Sequence, residues 1–399
     1  MIQFSRELQI CAFLFGLTAL VTAEEPWIEQ GRGVPQFLET VAKKKKAHVA
    51  FLGGSITENT KGHTAMVPAW LKETYPECEF TFTNAGLSST CSMSGAFRLE
   101  DHLLKKGPID LLIVEFAVND DQDAGHDRET AIRGLEGIVR HFRKTNPGGD
   151  IISVQFVNIP ILQKFQEGEE AVSVAAHKEV ARHYNLPIVD VGIALAAGIE
   201  AGNNSWETYG GVHPKTEGYS FASDLIISVI KNSTPADGSE NWALVPPLEP
   251  RNFENGRFID PQTGSWLGGW KFAKPDSTLL PQGGIRKGYT VYNALRDDEP
   301  GTMIYLPFAG EMLGAFVLAG PDAGILEVSI DDGEWQKIDL YHKHSKGLNY
   351  PRSVMLADGL KNQRHQAAIR ISEDKNPESK GHGATILFFE ENFARNNRY

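Results

Sequence analysis

The sequence predicts an α/β fold followed by an all-β C-terminal part. Over residues 47–231, apolar runs alternate with amphipathic helical patterns, which is typical of a parallel sheet covered by helices on both faces. A stretch rich in proline, residues 232–251, interrupts this rhythm. Beyond it, short segments alternate apolar and polar residues, which favours a small antiparallel sandwich or jelly roll.

Residues 1–23 have the pattern of a secretory signal peptide. Arg6 supplies a positive charge, an apolar core follows, and Val21-Thr22-Ala23 resembles a cleavage site. The apolar run is short for a membrane span, although an uncleaved anchor stays open. We expect an exported protein, periplasmic or extracellular, with no membrane partner once the signal is removed. The predicted parts are a signal peptide at 1–23, an α/β domain at 24–231, a linker at 232–251 and a β-sandwich domain at 252–399.

Composition argues against one class of partner and leaves a disulfide open. The formal net charge of −12 argues against a nucleic-acid surface. Of the three cysteines, Cys11 lies in the predicted signal peptide. Cys78 and Cys91 could pair in an oxidising compartment, but sequence alone does not fix their geometry. Their spacing matches no metal motif, so we expect no metal and no cofactor.

Five strands separated by helices define the predicted sheet. Such an order implies right-handed crossovers between parallel strands, and ligands of such sheets bind beyond the carboxyl ends of the strands. The strands are predicted at 49–52, 80–83, 110–116, 150–157 and 187–191, with helices at 65–74, 128–144 and 171–184.

The C-terminal part carries a hairpin signal among short strands. Leu326, Val328 and Ile330 share one face of a predicted strand. Asp332-Gly333 is expected to form the hairpin turn that leads into the next strand. The other strands are predicted at 302–308, 313–318, 335–341, 367–371 and 385–389.

A serine follows the first predicted strand where a nucleophile would lie. The run His48-Val49-Ala50-Phe51-Leu52 leads into Gly53-Gly54-Ser55-Ile56-Thr57. On a sharp strand-to-helix turn, a serine hydroxyl is exposed beside backbone N–H groups that have no helical partner. Because Gly-Gly-Ser is also ordinary turn chemistry, the other loops at this edge of the sheet decide between the two interpretations.

Three further loops meet the serine turn at the same edge. They are Asn84-Ala85-Gly86-Leu87-Ser88, Ala117-Val118-Asn119-Asp120 and Gly211-Val212-His213-Pro214. Over residues 47–231, these loops and the serine turn resemble the four blocks of the SGNH (GDSL-like) hydrolase superfamily. The resemblance implies a flavodoxin-like three-layer fold and an SGNH-type serine hydrolase that acts on carboxylic esters.

The resemblance also assigns roles to these residues. It makes Ser55 the nucleophile and His213 the general base, and it places the N–H groups of Ser55 and Gly86 with the Asn119 amide in an oxyanion hole. Chemistry agrees, because a serine needs an adjacent base and a tetrahedral oxyanion needs fixed donors. Each residue also has an ordinary structural explanation as a strand end, a helix cap or a surface turn.

One position departs from the pattern of the superfamily. The resemblance implies an aspartate three residues before the histidine, but Gly210 stands there. Loss of the orienting carboxylate of a triad can cost on the order of 10⁴ in rate. Either the Gly210 carbonyl accepts the ring N–H of His213, which we expect, or Glu207 reaches back to the ring.

Other polar and aromatic residues have less certain roles. Glu115 lies within an apolar strand, where a carboxylate is costly unless paired, and Arg98 is its candidate partner. Asp120 either caps the next helix or contacts substrate. Trp206 and Tyr209 could form an aromatic wall for a sugar ring, although loop aromatics more often pack against the domain.

These features predict an exported serine esterase that removes acyl groups, with acetyl expected, from carbohydrate. The expected partner is thus an acylated carbohydrate, and the preference for sugar rests on export, the β domain and the aromatic residues. Two alternatives stay open because a fold does not determine a function. One is a non-catalytic carbohydrate-binding protein on this scaffold, and the other is an acyltransferase or glycosidase on it.

Overall fold

The computed structural model describes residues 26–237 and 243–394. The predicted signal peptide at 1–23 lies outside the described residues, as does part of the predicted linker. The helices α1 to α11 are Pro35–Lys44, Ser55–Glu58, His63–Thr74, Ser92–His102, Ala117–Asn119, Arg128–Thr145, Ile159–Gln166, Val172–His183, Val191–Glu200, Trp206–Tyr209 and Thr216–Lys231. Short 3₁₀ or π turns lie at Leu104–Lys106, Asp120–Ala124, Pro261–Thr263 and Lys287–Tyr289.

The first sheet contains all five predicted strands and one more. Strands β2 to β6 pair in the order β6-β5-β4-β2-β3 and are parallel, which gives the doubly wound, flavodoxin-like arrangement. A two-residue strand, β1, pairs antiparallel with β6 and is too short to be recognised in the sequence. The six strands are Ile28–Glu29, Lys46–Gly53, Glu79–Gly86, Leu111–Glu115, Asp150–Gln155 and Ile188–Asp190.

Helices cover both faces of this sheet. Along β2, Val49 and Phe51 belong to the apolar core on one face, whereas Ala50 and Leu52 belong to the core on the other. Successive strand residues point to opposite faces, so a strand buried on both sides reads as a continuous apolar run. Four of the helices, α6, α7, α9 and α10, begin after a side chain that accepts the N–H three residues later: Asp127, Asn158, Asp190 and Ser205.

The C-terminal part is a β-sandwich of two antiparallel sheets. One has the order β15-β12-β17-β10-β9, with β7 also paired to β17, and the other has the order β14-β13-β16-β11-β8. Their shared core includes Val317 and Ile386 from the first sheet and Leu306 and Ile369 from the second. The strands β7 to β17 are Gly256–Ile259, Ser265–Leu267, Lys271–Ala273, Ala294–Asp297, Met303–Gly310, Leu313–Ala319, Ile325–Ile330, Gln336–Asp339, Tyr350–Ala357, Gln363–Ile371 and Ala384–Asn392.

The predicted hairpin between β13 and β14 is present, but its turn is one residue earlier than expected. Asp331 and Asp332 have φ values of 52° and 60°, and the Gly333 N–H donates to the Ile330 carbonyl. Positive φ at both central residues is the geometry that matches the twist of a two-residue hairpin. Aspartate tolerates this region better than most residues do. Asp331 and Asp332 therefore occupy the two central positions of the turn, and Gly333 follows them.

The two parts are in extensive contact. The Phe253 ring lies 5.0 Å from the Phe97 ring of α4, centroid to centroid, and the Tyr289 hydroxyl donates to the Ser88 carbonyl. Beyond residue 242, the predicted linker is bound to α6, since the N–H groups of Leu248 and Glu249 donate to the Glu136 carboxylate. The sandwich therefore packs directly against the α/β part and is not joined to it by a flexible linker alone.

A buried arginine fastens α6 to the sandwich. Arg133 makes a two-point ion pair with Asp358, with N–O distances of 2.7 and 2.9 Å, and its Nε donates to the Arg251 carbonyl. Its guanidinium also lies over the Phe253 ring, 4.5 Å from the centroid. Since the Arg133 side chain is 5% exposed, its charge depends on these partners.

Neither a disulfide nor a membrane-spanning helix is found among the described residues. Cys78 and Cys91 are both free and buried, so they form no disulfide with each other. Within residues 26–237 and 243–394, no helix combines the length and apolar character that a membrane crossing requires.

We predict that Asp358→Ala lowers the free energy of unfolding by about 2–4 kcal/mol, because Arg133 would keep a buried charge without its partner. Urea unfolding measures this loss. The control is Asp374→Ala, which removes a pair with Lys337 whose carboxylate side chain is 65% exposed and should cost less than about 1 kcal/mol. Equal losses in the two variants would contradict the importance of the buried contact.

Candidate active site

The serine turn is formed where β2 passes directly into α2. Gly53 ends the strand and Ser55 is the first residue of the helix, so the Ser55 N–H has no partner within that helix. A Cβ on Gly53 would lie 2.1 Å from Glu115 Oε1, and one on Gly54 would lie 2.1 Å from Asn119 Oδ1. Both positions therefore require glycine, because the end of β4 and the loop after it pack directly against the turn.

Ser55 and His213 meet across 158 residues of sequence. The His213 Nε2 lies 2.7 Å from the Ser55 Oγ. His213 stands in the loop between α10 and α11 and is exposed. Because a neutral imidazole can accept a proton from the hydroxyl at this distance, the arrangement suits a nucleophile with its general base.

Neither predicted partner of the His213 Nδ1 holds it. Among the described residues, Nδ1 makes no hydrogen bond to Gly210, Glu207 or any other group. The Glu207 side chain points to solvent, and its carbonyl accepts from Lys215 Nζ instead. The pair is thus a Ser-His dyad in this conformation, and the expected Gly210 carbonyl contact is wrong.

The backbone explains why no aspartate stands at position 210. Gly210 has φ 104°, and a Cβ there would lie 2.4 Å from the Lys215 backbone nitrogen. A residue with a side chain would be strained by both the dihedral angle and the clash. The route from α10 to α11 therefore excludes a carboxylate at this position.

Asn119 lies beside the turn as the resemblance implied. It ends α5 and is 3% exposed, with its Oδ1 against Gly54. Its Nδ2 donates to Asp123 Oδ2 at 2.7 Å. Because an amide carries two N–H donors, this contact orients the group and leaves one donor for a ligand.

Gly86 lies beside the turn, but its N–H is engaged. It pairs with Gly53 in the register of β2 and β3, and a Cβ on it would lie 2.2 Å from the Glu58 backbone nitrogen. Its N–H donates to the Asn84 side chain at 2.8 Å. The glycine is required for close packing against α2, and its N–H is not free to bind an oxyanion in this conformation.

The loop after β3 contains a residue that sequence reasoning missed. Ser89 is buried with φ 67°, and its N–H donates to no other described residue. It lines the same cleft as Asp123, the partner of Asn119. No sequence signal marks it, because a left-handed backbone position is usually recognised by glycine.

Glu115 holds the serine turn from beneath. Its Oε1 accepts the Gly54 N–H at 2.9 Å and the Thr57 hydroxyl at 2.6 Å, and the residue is 2% exposed. Burial raises the pKa of Glu115 to about 7, against the opposing effect of these two bonds.

The predicted ion pair between Glu115 and Arg98 is absent from the described chain. The Arg98 guanidinium donates instead to the carbonyls of Ala85 and Gly53, at 2.6 and 2.8 Å. The buried charge of the guanidinium is stabilised by main-chain carbonyl oxygens at the ends of β3 and β2. Arg98 therefore braces the same edge of the sheet without neutralising Glu115.

Two of the three residues considered for substrate contact, Asp120 and Tyr209, are buried in structural roles. Asp120 is fully buried and accepts hydrogen bonds from Ser92 and His177; although burial opposes the shift, His126 and His177 lower its pKa. Tyr209 is 1% exposed and stacks on the half-buried Trp206, centroids 5.6 Å apart, within the α/β core. Asp120 and Tyr209 therefore do not contact a substrate in this arrangement, and of the two alternatives considered for each residue the structural one holds.

The sandwich reaches the edge of this region through the segment between β14 and β15. His342 Nε2 lies 2.9 Å from the Asp123 carbonyl, and the His342 ring stacks on Tyr350 with centroids 4.5 Å apart. His344 Nε2 lies 3.4 Å from Asp123 Oδ1. Asp123 therefore contacts both Asn119 and the C-terminal sandwich.

The fold and the Ser-His pair define a class of hydrolase, and the sequence agrees. Residues 51–221 match the profile of the GDSL-like lipase/acylhydrolase family. The matched segment runs from β2 into α11 and so covers most of the α/β part. No match was found among curated proteins.

Two crystal structures share the fold over nearly the whole chain. Each is of a two-domain esterase active on acetylated mannans, and each match covers 92% of this chain and 97% of the other. The structure co-crystallised with mannopentaose has a TM-score of 0.71 at 22% identity, and the other has 0.73 at 20% identity. The similarity therefore includes the sandwich as well as the α/β part.

We predict that the stability difference between Glu115→Gln and the wild type depends on pH. The pKa of Glu115 is raised from 4.5 to about 7 in the fold, so the wild type loses stability as the pH rises through this interval. From pH 5 to pH 8, the wild type should lose roughly 2–3 kcal/mol of unfolding free energy relative to the variant. Urea unfolding at several pH values measures the difference.

Glu77→Gln serves as the control, because the Glu77 side chain is 81% exposed. Its stability should follow the wild type within about 0.5 kcal/mol at every pH. Burial also raises the pKa of Asp150 to about 7. Asp150 is present in all three proteins, so its contribution to the pH dependence cancels when their stabilities are compared. Parallel curves for the wild type and Glu115→Gln would refute the raised pKa.

Proposed function

We propose that the protein is a serine esterase that removes acetyl groups from carbohydrate. The observation that carries the proposal is the 2.7 Å contact between Ser55 Oγ and His213 Nε2. It lies in a domain of an acylhydrolase family. A hydroxyl, an imidazole and nearby amide donors are the groups that ester hydrolysis through an acyl-enzyme needs.

The reaction would proceed in two balanced steps. The Ser55 oxygen attacks the ester carbonyl carbon while His213 Nε2 takes the hydroxyl proton. Collapse of the tetrahedral intermediate breaks the ester C–O bond, and His213 returns the proton to the leaving sugar oxygen. Water then attacks the acetyl-serine with His213 as base, which releases acetate and restores the Ser55 hydroxyl.

The donors proposed for the oxyanion are the Ser55 N–H, the Asn119 amide and the Ser89 N–H. Ser89 takes the place first given to Gly86, because the Gly86 N–H is bonded to Asn84 and the Ser89 N–H has no described partner. Donors held by the surrounding fold do not reorganise when the charge develops, which is the source of their catalytic effect.

Two observations support a carbohydrate substrate. The chain has the two-domain fold of an esterase active on acetylated mannans. The rings of His342 and His344 lie beside Asp123 and are partly exposed or exposed, and flat faces next to hydrogen-bonding groups suit a sugar, which offers both C–H surface and hydroxyls.

We also propose that the protein is exported, on the pattern of residues 1–23. N-terminal sequencing of the protein after cell fractionation tests this. A chain that begins near Glu24 outside the cytoplasm is expected, and an intact Met1 in the cytoplasmic fraction would exclude export.

We predict that Ser55→Ala abolishes turnover of p-nitrophenyl acetate and release of acetate from acetylated mannan. Because nucleophile and base act as a unit, His213→Ala should lower the turnover rate by a similar factor, on the order of 10³ or more. Ser220→Ala, on the exposed side of α11, is the control and should keep full activity. An initial burst of p-nitrophenol in the wild type would report the acyl-enzyme.

Several outcomes would contradict the esterase. A wild type without activity on any acetylated glycan would favour the carbohydrate-binding alternative. Cleavage of glycosidic bonds in unacetylated mannan would favour the glycosidase, and transfer of acetyl to an added alcohol without hydrolysis would favour the acyltransferase. Full activity in Ser55→Ala would remove the proposed nucleophile.

We predict that Asn119→Ala lowers kcat by about 10²–10³ and changes KM little, because its amide would bind the charge that develops in the transition state. Steady-state kinetics with p-nitrophenyl acetate measures both constants. Asn203→Ala, an exposed residue between α9 and α10, is the matched control. A rise in KM with unchanged kcat would place Asn119 in substrate binding instead.

A further inference from the structure

Three potential metal ligands converge at the boundary between the α/β part and the sandwich. A Cys91 sulfur, an Asp120 carboxylate oxygen and a His126 ring nitrogen all lie within 4.8 Å of one another. They come from the start of α4 and from the turn after α5. None of the three takes part in the proposed ester hydrolysis.

The histidine of this cluster lacks a well-formed hydrogen bond. The His126 Nδ1 is buried and has no hydrogen-bond partner among the described residues, although it lies 3.5 Å from Asp120 Oδ1. A buried ring nitrogen is normally satisfied. Its orientation toward a carboxylate and a thiol is the orientation that a shared cation would use.

The carboxylate is held in place by groups outside the cluster. Asp120 Oδ1 accepts the Ser92 N–H at 2.7 Å, and Oδ2 accepts the Ser92 hydroxyl at 2.6 Å and lies 2.9 Å from His177 Nε2. Metal-ligating carboxylates are typically fixed by such outer hydrogen bonds. These contacts leave Oδ1 facing His126.

The cluster also has an approach from solvent. Cys91 and His126 line a cleft of about 390 Å³ between the two parts of the chain, together with Ser89, Asp123 and His342. A metal held by the buried Cys91 and Asp120 and by the partly buried His126 would have its remaining position directed into this space, as in three-ligand zinc sites.

We propose that Cys91, Asp120 and His126 form a zinc-binding site. One thiolate, one imidazole and one carboxylate are ligands that Zn²⁺ accepts, and the charges of the two anions balance the charge of the ion. Zinc bonds of about 2.0–2.3 Å place tetrahedral ligands roughly 3–4 Å apart, so small side-chain movements close the cluster around the ion.

The test uses the full-length protein, freed of metal with a chelator and titrated with Co²⁺ as a spectroscopic substitute for Zn²⁺. We expect one Co²⁺ per chain, a thiolate-to-cobalt charge-transfer band in the near ultraviolet, and displacement of the band by Zn²⁺. Cys91→Ser and His126→Ala should each bind at least about tenfold more weakly and lose or shift this band. A wild type without the band would overturn the site.

A matched double variant shows which cysteine binds the metal, because it leaves Cys91, Asp120 and His126 unchanged. Cys11→Ser combined with Cys78→Ser removes the other two of the three cysteines and should keep the band, so the result does not depend on whether Cys91→Ser folds. Loss of the band in this double variant, or unchanged binding in His126→Ala, would overturn the assignment. Ser55→Ala should bind Co²⁺ as the wild type does, which separates this proposal from the esterase activity.

Discussion

The carboxyl group of Glu115 is the contact on which the serine turn depends. It comes from the end of β4 and accepts both the Gly54 N–H and the Thr57 hydroxyl on either side of Ser55. The adjacent strands β2 and β4 are parallel and in register at Gly53 and Glu115. The sheet therefore holds the turn that carries Ser55, and His213 reaches Ser55 from the loop between α10 and α11.

A sheet edge of this kind concentrates polar groups that the core would not tolerate elsewhere. Arg98 meets the carbonyls of Gly53 and Ala85 at the same edge, and Asn119 packs against Gly54. Each of these contacts joins the ends of neighbouring strands. Because they satisfy buried polar groups, they also hold the proposed oxyanion donors in fixed positions, as electrostatic stabilisation of a transition state requires.

Asp123 connects this edge to the rest of the chain. It orients the Asn119 amide and contacts the sandwich through His342 and His344. The buried pair of Arg133 and Asp358 keeps the sandwich in place relative to α6. The C-terminal part therefore contacts the residue that orients the Asn119 amide.

The sequence by itself determined the five parallel strands and the sandwich, because apolar periodicity is a local property of the chain. The pairing of Ser55 with His213 followed from the resemblance of four short loop motifs to a known superfamily, and the structure brings the two side chains together. Only the tertiary structure decided the partner of Glu115, the burial of Asp120 and Tyr209, and the positive φ angles at Gly210 and Ser89. It also decided that Cys91, Asp120 and His126 converge, since no regular spacing marks ligands from separate segments. These features depend on distances between segments remote in sequence, which periodicity does not encode.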